Sequence, residues 1–277
     1  MPDAERLTWR GLAWQRALCE SSPMTARPWV LAESVWPTVR EARYDVVALP
    51  WGATEAHNRH LPYSTDNIEA SEVAIAAAAL AWERGARVVV LPGVPFGVNT
   101  GQRSIPYCLN LNPSTQLAVL GDLVRAVEPH GARKLVVVNG HGGNDFKPIL
   151  RELQSRTTLF LSFVNWWSML DARQYFDEPG DHAGELETSA VMHLAPGLVR
   201  PLSEAGPGVA RRFRVAALRE GWAWAQRDWS AVTDDTGVGN PANATADKGA
   251  RFLHDAAERL AGYFVDLAAA DPSALYE

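Results

Sequence analysis

Two kinds of metal-binding side chain crowd one short polar stretch of this chain. Glu55, His57, His60 and Asp66 lie within Glu-Ala-His-Asn-Arg-His-Leu-Pro-Tyr-Ser-Thr-Asp. Carboxylate and imidazole donors together suit Zn2+, Mn2+ or Fe2+. Glu55 and His57 are two residues apart, so an extended backbone points both to one side. Asp66 reaches the same point only if the loop past Pro62 folds back, a demand that a divalent cation explains. The competing reading is a surface loop in which Asp66 caps a helix.

Two further clusters carry chemistry. Asn139-Gly140-His141-Gly142-Gly143-Asn144 places a histidine among glycines, which permit close backbone approach. A phosphate cradle is the alternative there, but the run has neither GxGxxG spacing nor a P-loop lysine. The third cluster is Asp181-His182-Ala183-Gly184-Glu185-Leu186-Glu187-Thr188-Ser189. Its two glutamates fall in the first turn of an expected helix, where the dipole favours carboxylates anyway. They sit about 200° apart around that helix, so only one of them is expected to serve a site.

The elements that would position these groups are legible as apolar runs ended by Pro or Gly. Strands are expected at 45–49, 87–92, 134–138 and 158–164. Helices are expected at 33–43, from Asn67 to Gly85, and at 114–130, 149–155, 185–194 and 245–269. Strands alternating with helices predict an α/β fold: a mostly parallel central sheet flanked by helices on both faces. Ligands in such sheets collect beyond the carboxyl ends of the strands, where the first two clusters lie. The Gly-, Pro- and Asn-rich loop over 92–115 is long enough to be functional. Residues 1–26 read as an N-terminal extension, 27–277 as a single domain, and 200–242 as irregular.

Bulk properties exclude several classes. With 277 residues, 47% apolar and 21% charged, the chain has ample material for a core. A net charge of -6 without a basic block argues against nucleic acid as a partner. No stretch approaches the run of about 20 apolar residues that a membrane helix needs, and the first residues do not form a secretory signal. Cys19 and Cys108 give no disulfide framework and suggest a reducing, cytoplasmic setting. The eleven tryptophans are expected mainly as core or subunit-interface anchors.

Together the clusters resemble the creatininase (creatinine amidohydrolase) family of metal-dependent amidohydrolases, in a subgroup that differs from creatininase itself. The family pattern P-x-G-S-x-E-Q-H-G-x-H-L-P-x-x-T-D is similar to Pro50–Asp66. N-G-H-G-G-N stands intact at 139–144, and H-A-G-x-x-E-T-S at His182–Ser189. A weaker tail signature matches Gly237–Pro241 and Ala244–Gly249, so the resemblance spans about residues 28 to 265. It implies an α/β sheet protein, assembled as a homo-oligomer (a hexamer in the family), with one or two divalent ions, Zn2+ or Mn2+. The implied ligands are Glu55, His57, Asp66, His141 and Glu187, with Asp66 bridging when two ions are bound. His182 is implied to lie beside the reacting group, and His60, Asn139 and Asn144 to support the ligands.

The departures from the pattern bear on substrate. Creatininase itself has a glutamate ligand two residues after the N-G-H histidine; here Gly143 stands, which argues against creatinine and favours Glu187 as the last ligand. Asn58 replaces the usual glycine. The loop after Gly97 differs from the family pattern, so Asn99, Gln102 and Arg103 are expected to face the metal pocket and contact substrate, with a surface ion pair as the alternative for Arg103. Trp166 or Trp167 is expected either to close over the substrate or to lie in the core. The implied reaction is metal-assisted hydrolysis of a small polar cyclic amide or related carbonyl compound, with the metal acidifying water. Metal charge and the NH groups of Gly142 and Gly143 would hold the oxyanion; His182 would pass a proton to the leaving group. The alternatives are hydrolysis of an oxidised cyclitol with ring C–C cleavage, a non-catalytic metal-binding homologue, and a nucleotide-binding module.

Overall fold

The apolar runs become strands because β-branched residues fill them and both faces are covered. In the computed structural model, which describes residues 26–277, the main elements in chain order are α1 (Trp36–Glu41), β1 (Val46–Trp51), α2 (Thr65–Glu83), β2 (Val88–Val90), α3 (Pro113–Val127), β3 (Lys134–Asn139), α4 (Phe146–Gln154), β4 (Phe160–Asn165), α5 (Glu185–Leu194), α6 (Ala216–Glu220), α7 (Trp229–Val232) and α8 (Ala246–Ala269). The expected N-terminal extension, with Trp9, Trp14 and Cys19, lies outside the described residues.

The sheet is parallel throughout, in the order β2-β1-β3-β4. Val46 pairs with Val88, Val47 with Leu135 and Lys134 with Phe160. Alternation along each strand sends side chains to two cores. Val46, Ala48, Val136 and Val138 join one core with residues of α2, α5 and α8. Val47, Leu49, Trp51, Leu135 and Val137 join the other with residues of α3 and α4. The expected covering of both faces is therefore present. Phe252, Leu260 and Phe264 of α8 are fully buried, each contributing roughly 1.5–3 kcal/mol relative to exposure.

Element ends differ from expectation for local reasons. The expected 114–130 helix stops at Val127 and continues as a 3-10 turn, Glu128–His130, because Pro129 has no N–H to carry the α ladder onward. Helix α4 begins three residues earlier than expected, where the Asp145 side chain accepts from Lys147 N at 3.2 Å. The 200–242 region is largely irregular, with only short helices α6 and α7.

Strands β1 and β3 are neighbours, and both end at the same edge of the sheet. Their following loops bring the first two clusters together. Helix α2 passes directly beneath them: a Cβ at Gly140 would lie 2.5 Å from Asp66 O. Glycine lets the turn after β3 settle onto the first turn of α2, placing His141 beside Asp66.

Candidate metal centre

The loop after β1 does fold back. Thr65 N donates to Pro62 O at 3.1 Å, and Glu55 N donates to Tyr63 O at 3.2 Å. That closure brings Asp66, in the first turn of α2, against Glu55 and His57. All three are essentially fully buried.

The five expected ligands converge as two half-sites that share Asp66. Asp66 Oδ2 lies 3.0 Å from His141 Nδ1, which is 2.8 Å from Glu55 Oε1. Asp66 Oδ1 lies 2.8 Å from His57 Nε2, which is 3.8 Å from Glu187 Oε2. Glu55–Asp66–His141 and His57–Asp66–Glu187 each gather three donor atoms within 4.8 Å of one another.

The tautomers can be assigned from carbonyl partners, which only accept hydrogen bonds. His57 Nδ1 donates to Glu55 O at 3.1 Å, His141 Nε2 to Val98 O at 3.2 Å, and His182 Nε2 to Ala56 O at 2.8 Å. Each ring therefore turns its other nitrogen toward the carboxylates. Metal-ligating histidines are oriented in this way.

The residues fit a divalent cation on a second count. Glu55 Oε1, His57 Nε2 and both oxygens of Asp66 are buried without a hydrogen-bond partner among the described residues. Such orphaned atoms are costly unless a cation or proton lies between them. Without metal, protons serve. Burial opposes charge on His57, but Asp66, Glu187 and Glu55 outweigh it and push the imidazole up to about 10. Burial acts likewise on His141, and Glu55 and Asp66 overcome it, raising the ring well above its ordinary range. Burial favours neutral Asp66, yet His57 and His141 hold its carboxyl below the usual carboxylate range. Burial raises Glu187.

The supporting residues hold this frame. Asn139 Oδ1 accepts from His141 N at 3.1 Å and from Asn144 Nδ2 at 3.0 Å. Asn144 Oδ1 in turn accepts from Val98 N and Gln116 Nε2, both at 3.0 Å. His60 Nε2 and the Thr188 hydroxyl are 2.9 Å apart; burial, reinforced by His57, lowers His60 to about 4 and keeps it neutral. Glu187 faces the site and accepts from Ala183 N at 2.6 Å. Glu185 points away, where Lys248 and Glu178 N donate to it, so the two glutamates do divide as their spacing requires.

Gly143 has a steric cause. A Cβ there would overlap both His141 Nε2 and Val98 O, the two atoms whose hydrogen bond orients His141. No side chain fits at position 143 without displacing one of these two groups. Asn58 is also explained: its φ is 56°, a left-handed conformation that asparagine tolerates better than most residues. Its side chain accepts from Gly206 N at 2.8 Å and donates to Gly206 O at 3.0 Å.

A cavity of about 340 Å³ opens over the half-sites, lined in part by Asn99, Gln102, His182, Arg227 and Trp229. Asn99 Oδ1 is buried without a partner. Gln102 is buried and donates to Glu55 Oε2, a closer involvement with the ligands than substrate contact alone. Trp167 lines a smaller adjoining cavity beside Glu187. Two of the residues weighed as substrate contacts do not line this cavity. Trp166 is buried in the core against Phe252, the second of the two places expected for it. Arg103 lines an outer cleft with Thr100 and Asp228 that adjoins the main cavity through Gly101, Gln226 and Arg227, since the 3-10 turn Thr100–Gln102 directs Gln102 inward instead.

Sequence reasoning missed several neighbours of the site. His182 packs on His57 at 4.1 Å between ring centroids, Trp229 meets His182 edge-on at 5.3 Å, and Arg227 lies 4.5 Å over Trp229. Arg227 also pairs with Asp181 at 2.8 Å. No local pattern marks the 224–229 segment, which reaches the site only through long-range folding. Glu69 was visible in principle, one helical turn beyond Asp66 on the same face. It is fully buried with both carboxyl oxygens unpartnered; burial, then Glu187 and Asp66, raises it well above the usual range.

A parallel α/β sheet with a buried carboxylate–imidazole centre beyond its strand ends has the features of a metal-dependent enzyme. Residues 32–264 match the creatininase family model, described as creatinine amidohydrolase; the chain belongs to the creatininase family. It is similar to a mycofactocin precursor peptide peptidase of Mycobacterium ulcerans (strain Agy99), at 27% identity over 79% of this chain and 81% of that one. It is similar also to a creatinine amidohydrolase of Pseudomonas putida, at 31% identity over 56% of this chain and 66% of that one. Among solved structures, a Bacteroides fragilis chain provisionally named a creatinine amidohydrolase superposes with a TM-score of 0.84 at 45% identity, covering 90% of this chain and 98% of that one. A manganese creatininase shares the fold at a TM-score of 0.70 and 22% identity, covering 88% of this chain and 100% of that one.

Proposed function

We propose that this protein hydrolyses a small polar cyclic amide or related cyclic carbonyl compound over a pair of divalent ions. Zn2+ and Mn2+ are the favoured ions, in keeping with the mixed oxygen and nitrogen donors and with the Mn and Zn-Zn creatininase structures that share this fold. The observation that carries the reading is Asp66, whose two buried oxygens each face a different imidazole nitrogen. Glu55, Asp66 and His141 would hold one ion; His57, Asp66 and Glu187 would hold the other. When bound, the ions acidify water and polarise a carbonyl.

The chain's own residues supply the rest. His182 turns Nδ1 toward the site, 3.8 Å from Glu55 Oε1, while its other nitrogen is held by Ala56 O. That free nitrogen is placed to take a proton and return it to the leaving group. Gly142 and Gly143 line the cavity, and their NH groups are the proposed donors to the oxyanion. The unpartnered Asn99 Oδ1 would accept from an N–H or O–H of the substrate. A cavity of about 340 Å³ suits a compound of that size.

The same wall would accept an oxidised cyclitol, and the products separate the two readings. Lactam hydrolysis releases a carboxylate and an amine; hydrolysis of a diketone ring releases a carboxylate and no amine. Screening lactams, lactones and keto-cyclitols with wild type and Glu55→Ala tests the proposal. Metal-dependent turnover lost in the variant is expected. Protein without bound Zn2+ or Mn2+ and with unchanged turnover in the variant would remove the metal-dependent reading, and bound metal without turnover of any of these compounds would leave the non-catalytic one.

Homo-oligomer formation belongs to the same proposal. Trp222 is 76% and Trp224 84% exposed, with Val209 and Val215 also exposed nearby in sequence. Tryptophan is enriched at subunit interfaces, and Trp224 also lines the cavity over the half-sites.

A further inference from the structure

Glu55 has two carboxylate oxygens, and the structure treats them differently. Oε1 faces the imidazoles: it is 2.8 Å from His141 Nδ1, 3.8 Å from His182 Nδ1 and 4.0 Å from His57 Nε2. Oε2 accepts a hydrogen bond from Gln102 Nε2. The amide of Gln102 is fixed in turn from its far side, where the Cys108 thiol donates to Gln102 Oε1 at 3.2 Å. Cys108 Sγ itself accepts from Ala56 N, also at 3.2 Å. Ala56 sits between Glu55 and His57, so the hydrogen bonds close a ring: Ala56 N–H to Cys108, Cys108 to Gln102, Gln102 back to the Glu55 side chain.

Every member of the ring is buried, so no bulk water competes for these groups. The direction of each bond is set by chemistry. A carboxylate can only accept, so Gln102 must present its NH2 to Glu55. Its carbonyl then needs a donor, and the thiol hydrogen supplies one. Burial pushes the Cys108 thiol up, which keeps it in the donating form. An amide turned the other way would set its carbonyl oxygen against a carboxylate oxygen.

We propose that Cys108 and Gln102 are positioning residues that sort the oxygens of Glu55, holding Oε2 back so that Oε1 alone faces the cation. Cys108 acts through Gln102 and touches neither cation nor substrate. The arrangement ties the 97–108 loop, whose residues line the substrate cavity, to the affinity of the Glu55–Asp66–His141 half-site. The inference rests on Glu55 being a ligand, as proposed above. Loss of a hydrogen-bond partner behind a ligand commonly weakens metal binding by about 10- to 100-fold.

The test measures the Mn2+ dissociation constant of the purified full-length protein by competition with a chelator of known affinity. Cys108→Ala is expected to weaken binding by roughly 10-fold, and Cys108→Ser, which keeps a donor and an acceptor, to recover most of that loss. Gln102→Leu, which keeps the bulk and removes the amide, is expected to weaken binding by about 10- to 100-fold, and carries the same test if Cys108→Ala fails to fold. Wild-type affinity in Gln102→Leu or in Cys108→Ala overturns the inference; so does Cys108→Ser binding as weakly as Cys108→Ala, since that pattern reports packing. Glu55→Ala separates the two proposals. If it binds Mn2+ like wild type, Glu55 is no ligand and both proposals fall. If it alone weakens binding, the ligand assignment stands and only the positioning role falls.

Discussion

Asp66 links the two half-sites, and single substitutions should reveal that. Removing His57 or Glu187 should empty one half-site and leave the other, whereas removing Asp66 should weaken both. The protons that occupy the metal-free centre give a second handle. Because His57 is raised from 6.5 to about 10 when folded, its protonated form stabilises the metal-free protein fully below about pH 6.5. That stabilisation disappears as pH rises through 10. Metal takes the proton's place, so binding near pH 8 should release protons. Calorimetry in buffers of different ionisation enthalpy measures the release; none at pH 8 would contradict the protonated His57. At Gly143, any added side chain meets the His141 ring and Val98 O. Gly143→Ala should cost roughly 1–3 kcal/mol by overpacking, and Gly143→Glu should not create a working ligand. Denaturant melts that match wild type would show that this loop yields more easily than its contacts indicate.

At the scale of elements, the centre depends on loops held in uncommon conformations. Asn58 combines a left-handed backbone with two hydrogen bonds to Gly206. Asn58→Ala loses both advantages and should destabilise by about 2–4 kcal/mol, from roughly 1–2 for the conformation and the rest from buried hydrogen-bonding groups left unpaired. Asn58→Gly keeps the conformation and should cost less; thermal unfolding of the pair decides, and equal losses would place the whole effect in the hydrogen bonds. Much of this level was legible in the sequence. Val46–Leu49 and Lys134–Val138 read as buried strands from their composition, and the adjacent polar runs hold the carboxylates and imidazoles that converge in the fold. The split between Glu185 and Glu187 followed from helical angle alone. What stayed hidden depends on contacts far along the chain. Nothing near Gln102 says that it turns inward while Arg103 turns out, and nothing near Trp229 or Arg227 says that they reach the cavity wall. Trp166 and Trp167 are adjacent in sequence, yet only Trp167 reaches the cavity system, a distinction fixed by the path of the chain after β4.

Across the whole molecule, one buried histidine should shape acid sensitivity. His60 is lowered from 6.5 to about 4. Its folded-state preference for the neutral form stabilises the protein above about pH 6.5, and that stabilisation is lost as pH falls through 4. His60→Gln should therefore flatten the fall in melting temperature between pH 6.5 and 4; an unchanged slope would assign the acid sensitivity elsewhere. Metal loading should raise stability by mass action, about 4 kcal/mol at a free ion concentration 1,000 times the dissociation constant. The proposed homo-oligomer is tested by light scattering, which should find more than one copy per particle; a single copy would leave Trp222 and Trp224 without that role.

The central claim is that one aspartate bridges two half-sites, and metal stoichiometry tests it most directly. Protein dialysed against excess Mn2+ and then freed of unbound ion should carry two ions per chain. His57→Ala and His141→Ala should each carry one, and Asp66→Ala fewer than one. An Asp66→Ala protein that is folded and retains the wild-type metal content would contradict the account.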